Sequence, residues 1–195
     1  MAKKIGNPEH ERLVVRRLYR DALELDWEAM GQRAKSAQYG AWLEDHELHP
    51  ILDQWMTPDE ARVWIKDGPM KEFARAMAGI GAFSEFLDAH PRGPEQVVKA
   101  ALGEEWSAIL DSLVVKPLGC RAATRKEEVF LFWGPARDAK HLLWASLERT
   151  VLGRGADGVH CAILQSVKKP IRKVEEERLR RMFERCKVPL RLIRF

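Results

Sequence analysis

The sequence predicts an α+β or α/β protein: a helical amino-terminal half followed by a small, mainly parallel sheet with flanking helices. Three observations predict it. Apolar residues recur at helical spacing through the first 113 residues. From about residue 114 the pattern turns to short continuous apolar runs, read as strands, separated by amphipathic stretches. Charge changes sign at the same place: residues 21–113 carry 8 Lys/Arg against 18 Asp/Glu, and residues 114–195 carry 19 against 9. The expected organisation is a helical, acidic segment over 1–113 and a basic α/β segment over 114–195. At 195 residues these form two small domains or one continuous one.

The elements follow in order. Asn7-Pro8 supplies an amide cap and a proline at the first helical position. Leu13, Val14, Leu18, Ala22 and Leu25 then mark one helical face, and a second helix is expected over about 27–43. Thr57-Pro58-Asp59-Glu60 is a capping box, and its helix stops near Asp67-Gly68-Pro69. A helix over about 70–89 and two short ones over 94–113 complete this half. The cluster His90-Pro91-Arg92-Gly93-Pro94 is a turn and a candidate module boundary. Residues 120–124 and 128–133 flank Arg125-Lys126-Glu127 as a hairpin. Val129 to Trp133 and Val159 to Leu164 are continuously apolar, as strands covered on both faces are. Between them Gly134-Pro135 opens a helix to about Leu152, with Ala139, Leu143, Leu147 and Val151 as its stripe. A basic amphipathic helix over 175–187 and a strand over 189–195 end the chain.

Composition narrows the class. The chain is 46% apolar and 32% charged, which is globular rather than disordered. Cys120, Cys161 and Cys186 are odd in number and lack metal spacing, so neither a disulfide framework nor a metal knuckle is expected. No apolar signal region stands at residues 1–6, and no run reaches membrane-spanning length. The expectation is a reducing, cytoplasmic location, with no membrane partner and no cofactor.

The best-placed candidate site lies beyond the carboxyl ends of the strands, where ligands sit in open α/β sheets. Trp133-Gly134-Pro135 ends one strand and opens a helix whose first residues include Arg137, Lys140 and His141. The next strand ends at Gln165-Ser166, followed by Lys168, Lys169, Arg172 and Lys173. If both strands run parallel, the two loops share one edge and form a basic, polar rim. Arg180 and Arg181 extend the basic character along the following helix. Phosphate binding requires such clustering, because each neutralised phosphate releases counterions. Plain helix stability also selects part of this pattern, since Glu175, Glu176 and Glu177 precede the basic residues. Trp133 and Trp144 lie near the rim and are candidates for stacking on bases, with a core role favoured for Trp133.

Other motifs are weaker. Gly153 to Gly158 matches G-x-G-x-x-G, but it follows a helix and precedes a strand, the reverse of a dinucleotide loop. Asp157 followed by Gln165-Ser166-Val167-Lys168 partly follows the PD-(D/E)XK nuclease pattern. It departs from it with Gln in place of the second acid and a spacing to Lys one residue too long. Glu44 to His49 gathers possible metal ligands without a distant partner. His160 and Cys161 are strand neighbours and point to opposite faces.

These observations support three functional expectations. The first is a nucleic-acid-associated module that binds phosphates, DNA or RNA, without catalysis. The second is a protein-interaction subunit that docks a partner through Trp42, Trp55 and Trp64 in the acidic helical half. An exposed patch at these indoles favours that reading, and tight core packing opposes it. The third is a small enzyme or degenerate nuclease-like domain acting on an anionic substrate near Gly134 and Ser166. It lacks a nameable base or nucleophile.

Overall fold

A computed structural model describes residues 4–153 and 158–195. The chain forms two compact units, the first ending at Pro91 and the second running from Arg92 to Phe195. The α+β class holds: helices fill the first half, and a five-stranded mixed sheet with flanking helices follows. The division at Pro91/Arg92 falls in the Pro-Gly turn cluster. Among the described residues no helix is long and apolar enough to cross a membrane.

The first unit holds α1 (Pro8–Leu25), α2 (Gln32–Glu44), α3 (His49–Asp53), α4 (Pro58–Asp67) and α5 (Pro69–Met77). Caps set two of the starts. Asn7 Oδ1 accepts from the Glu9 N–H at 2.9 Å, and Thr57 and Glu60 form the reciprocal box that opens α4. The helix expected over 27–43 is a single 3₁₀ turn, Trp27–Ala29, and then α2. The helix expected over 70–89 ends at Met77, because the backbone turns at Gly79 and Gly81 with φ of +74° and +90°. The core packs Val14, Leu18 and Tyr19 of α1 against Trp42, Ile65 and Phe73. Tyr19 is buried, and its hydroxyl donates to the Pro69 carbonyl at 2.9 Å.

The second unit begins with α6 (Pro94–Leu102) and contains β1 (Ser107–Val115), β2 (Leu118–Ala123), β3 (Glu128–Pro135), α7 (Ala139–Val151), β4 (Val159–Gln165), α8 (Lys173–Arg185) and β5 (Leu190–Arg194). The second short helix expected before residue 113 is instead β1. Gly103 ends α6 at φ +124°, where a helix cannot continue. Sheet order is β1-β2-β3-β4-β5, antiparallel through β3 and parallel from β3 to β5. The parallel strands are therefore the three joined through helices.

Both faces of the sheet are covered. On one, Val97, Val98 and Ala101 of α6 pack on Cys120, Leu131, Trp133, Ala162 and Ile193. On the other, Leu142 and Leu143 of α7 and Leu179 and Phe183 of α8 pack on Phe130, Phe132, Cys161 and Ile163. This double cover explains why β3 and β4 read as unbroken apolar runs. The stripe of α7 differs from the expected one. Ala139, Leu142, Leu143 and Ser146 face inward, whereas Val151 is 84% exposed.

Candidate functional site

Strands β3, β4 and β5 run parallel, so their carboxyl ends share one edge. Pro135 is level with Leu164, and Gln165 is level with Arg194. The chain therefore leaves β3 into the 3₁₀ turn Ala136–Asp138, leaves β4 into residues 166–172, and leaves β5 at Phe195, all from adjacent positions. Leu118 pairs with Trp133, which brings the exposed Lys116 of the β1–β2 turn to the same edge.

Backbone hydrogen bonds hold this edge in shape. The Phe195 N–H donates to the Gln165 carbonyl at 3.0 Å, and the Val167 N–H donates to the Phe195 carbonyl at 3.1 Å. Gln165 is buried, and its Oε1 accepts from the Ile171 N–H at 2.9 Å. Ser166 Oγ accepts from the Lys169 N–H at 3.0 Å. Gln165 and Ser166 thus serve to fold the loop, and the loop presents Lys168, Lys169, Arg172 and Lys173, all exposed. Across the edge Arg137, Lys140 and His141 are exposed at the start of α7. Since His141 faces outward and the Gln165 amide is committed beneath the loop, the two do not frame a catalytic cleft.

The charges differ in what surrounds them. Among the described residues Arg137, Lys140, Arg172, Lys173 and Arg181 have no acidic partner. Arg180 does: it binds Glu176 at 2.9 Å one turn back. Arg181 lies about 12 Å along the α8 axis from Lys173, by the 1.5 Å rise per residue. Neither Arg180 nor Arg181 therefore belongs to the rim proper. Arg194, exposed at the end of β5, does belong to it and is absent from the residues singled out in the sequence. The parallel reading of the last strand was the signal that points to it.

Helix ends shape the electrostatics. Neither α7 nor α8 has a side-chain hydrogen bond at its N-cap. The first turn of α7 contains Lys140 and His141 and no acid. In α8, Arg172 and Lys173 stand ahead of Glu175 and Glu176. An exposed cation at a helix N-terminus opposes the macrodipole by about 0.3–1 kcal/mol, whereas an anion there is favoured.

The remaining candidates find structural roles. Trp133 is 1% exposed and belongs to the core under α6. Trp42 and Trp64 are buried in the helical core and Trp55 packs against it, so the three indoles are not surface anchors. Asp45 and Glu47 close on Arg17, with Asp45 at 2.9 Å, which explains the acidic loop without a metal. Among the described residues no group of three or more His, Cys, Asp and Glu side chains is arranged to hold a metal ion. Asp157 of the nuclease-like string, and most of the Gly153–Gly158 string, lie outside the described residues.

Burial pushes the Cys120 and Cys161 thiols up to about 12, and both are protonated at neutral pH. Cys161 Sγ lies 2.9 Å from Ser146 Oγ, beneath α7. Burial, together with Arg191, lowers the His160 pKa and keeps the ring neutral. The helical unit also carries an open groove of about 900 Å³ between α1 and residues 86–91, lined by Leu13, Arg16, Arg20, Leu23 and Phe86.

Compared with known protein families, curated proteins and solved structures, the chain matches none.

Proposed function

We propose that the unit from Arg92 to Phe195 binds nucleic acid through its phosphates and carries out no chemistry of its own. The observation that supports this most is the placement of unpaired cations at two uncapped helix N-termini on one sheet edge. Helix stability alone selects acids at such positions and bases at the other end. Asp138 at the N-cap of α7 and Glu175 and Glu176 in the first turn of α8 meet that preference, whereas Lys140, Arg172 and Lys173 add positive charge at the same two ends. A bound polyanion accounts for it, because it meets the cations and the free N–H groups together.

Fluorescence anisotropy across a salt series tests the reading. If Arg137, Lys140, Arg172 and Lys173 each neutralise one phosphate, log K falls against log salt with a slope of about −3.6 on duplex. Affinity then drops about 150-fold between 50 and 200 mM salt. Replacing the four residues by Gln is expected to remove this dependence while the circular dichroism spectrum is unchanged. Equal binding by the variant, or no binding by the native chain at low salt, refutes the proposal.

The groove on the helical unit favours a second reading, a protein-interaction role. Leu13 and Leu23 are 59% and 43% exposed there, at the two ends of a stripe on α1 that holds Arg16 and Arg20 between them, with Arg16 paired to Asp88 at 3.2 Å. That stripe suits the apolar face of an amphipathic helix of a partner protein. Loss of partner capture in a Leu13→Asp/Leu23→Asp variant supports it, and capture unchanged by both substitutions removes it.

A further inference from the structure

We infer that the nucleic acid bound at this rim is single-stranded, with an unpaired base stacked on Trp144; this rests on the phosphate-binding reading above. Trp144 lies on α7 and is 70% exposed. Trp27, Trp42, Trp64, Trp106 and Trp133 are all buried at 9% or less, and Trp55 packs on a core. The chain thus places one indole in water and buries or packs the rest.

Its position on the helix selects the ligand. The inward face of α7 is set by Ala139, Leu142, Leu143 and Ser146, so the 100° helical step puts Lys140, His141 and Trp144 on the outward side. Trp144 stands one turn beyond Lys140, about 6 Å along the axis and on the same outward side of α7. A nucleotide backbone is of this scale: a phosphate on Lys140 leaves its base within reach of the indole.

In a duplex every base face is already covered by its neighbours, and a helix-borne indole outside the grooves finds nothing to stack on. In a single strand each base has a free π-face, and stacking on an aromatic side chain adds to the phosphate term without demanding sequence. The rim supplies the charge for both forms, and Trp144 discriminates between them.

The test uses the full chain, labelled mixed-sequence single strands and the matching duplex. Affinities are measured across a salt series for the native protein, Trp144→Ala and Trp144→Phe. The native chain is expected to bind the single strand more tightly than the duplex and to quench indole fluorescence on doing so. Trp144→Ala is expected to lose about tenfold on the single strand, with an unchanged salt slope and an unchanged duplex affinity. Trp144→Phe is expected to recover most of the loss.

If Trp144→Ala binds the single strand as the native chain does, while both retain salt-dependent binding, the inference fails and the phosphate-binding reading stands. If the native chain binds neither form at low salt, the phosphate-binding reading itself fails, and the inference with it. If Trp144→Ala leaves binding intact but lowers the sedimentation mass, the indole covers a second copy of the chain and the inference is overturned.

Discussion

Lys140→Glu separates the stability of α7 from the function proposed for its N-terminus. Lys140 is exposed, lies in the first turn and has no acidic partner among the described residues. A cation there opposes the helix dipole, and a glutamate would favour it, so the reversal stabilises by about 1 kcal/mol at low ionic strength. Arg137 in the preceding turn favours the new carboxylate and Asp138 at the N-cap opposes it, so the two largely offset each other. For a unit of about 100 residues, 1 kcal/mol raises Tm by roughly 4–8 °C. The gain is expected to shrink above about 0.5 M salt, where the screening length is only a few ångströms. Binding moves the other way. One phosphate contact carries a salt slope of about 0.9, which at 0.1 M salt corresponds to roughly an eightfold change in affinity. The assay is a thermal melt by circular dichroism at two salt concentrations, beside anisotropy with a nucleic-acid probe. A melt lowered or unchanged by Lys140→Glu refutes the dipole reasoning. Unchanged binding refutes the placement of Lys140 in the site.

Three further outcomes are expected. Gly119→Ala would bring a Cβ to 2.6 Å from Phe132 Cδ1 and 2.9 Å from the Leu131 carbonyl oxygen, so β2 must shift, at a cost of about 1–3 kcal/mol in a denaturant melt. Phe183→Ala empties a fully buried site between α8 and the sheet, and about 3–5 kcal/mol of stability is expected to be lost. The Glu95 carboxyl accepts from the Ala108 N–H at 2.8 Å, which with Lys99 holds its pKa below the ordinary 4.5. The stability this contributes is complete above the ordinary value and is lost as pH falls through the lowered one, and Glu95→Gln is expected to flatten that part of the pH–stability curve.

Local chemistry made much of the fold legible. Caps and the proline at a first turn act within four residues, and Asn7-Pro8 and Thr57 to Glu60 open helices where the sequence places them. Double burial wrote β3 and β4 directly into apolar runs. Strand β1 was hidden because its register breaks between Ile109 and Val114, so no two-residue alternation survives. The Ser112 hydroxyl mends the break, accepting from the Arg121 N–H at 2.7 Å, a contact no local pattern announces. At the site, the rule that places ligands at strand carboxyl ends located both loops. The commitment of Gln165 to the Ile171 N–H was not legible, because a loop's internal hydrogen bonds depend on its folded path. The pairing of Arg180 with Glu176 was legible in principle, at the i,i+4 spacing that brings helical side chains together.

Sheet topology supplies the strictest control on the proposed site. The parallel strands deliver the starts of α7 and α8 to one edge, and the β2–β3 turn lies at the other, where Arg125 and Lys126 are also exposed. Reversing Arg125 and Lys126 to Glu changes the net charge as much as reversing Arg172 and Lys173 does. A protein that holds polyanions merely through its overall charge responds alike to the two pairs, because diffuse attraction follows net charge. A protein that holds them at the rim does not. The expected result is a drop of roughly an order of magnitude or more at 0.1 M salt for Arg172→Glu/Lys173→Glu, and a change of less than threefold for Arg125→Glu/Lys126→Glu. Glu at 172 and 173 suits the dipole of α8 but faces Glu176 and Glu177 one turn on, so a thermal melt of each variant separates lost folding from lost binding. Equal losses from the two pairs would assign the binding to net charge and leave the sheet edge without a special part in it.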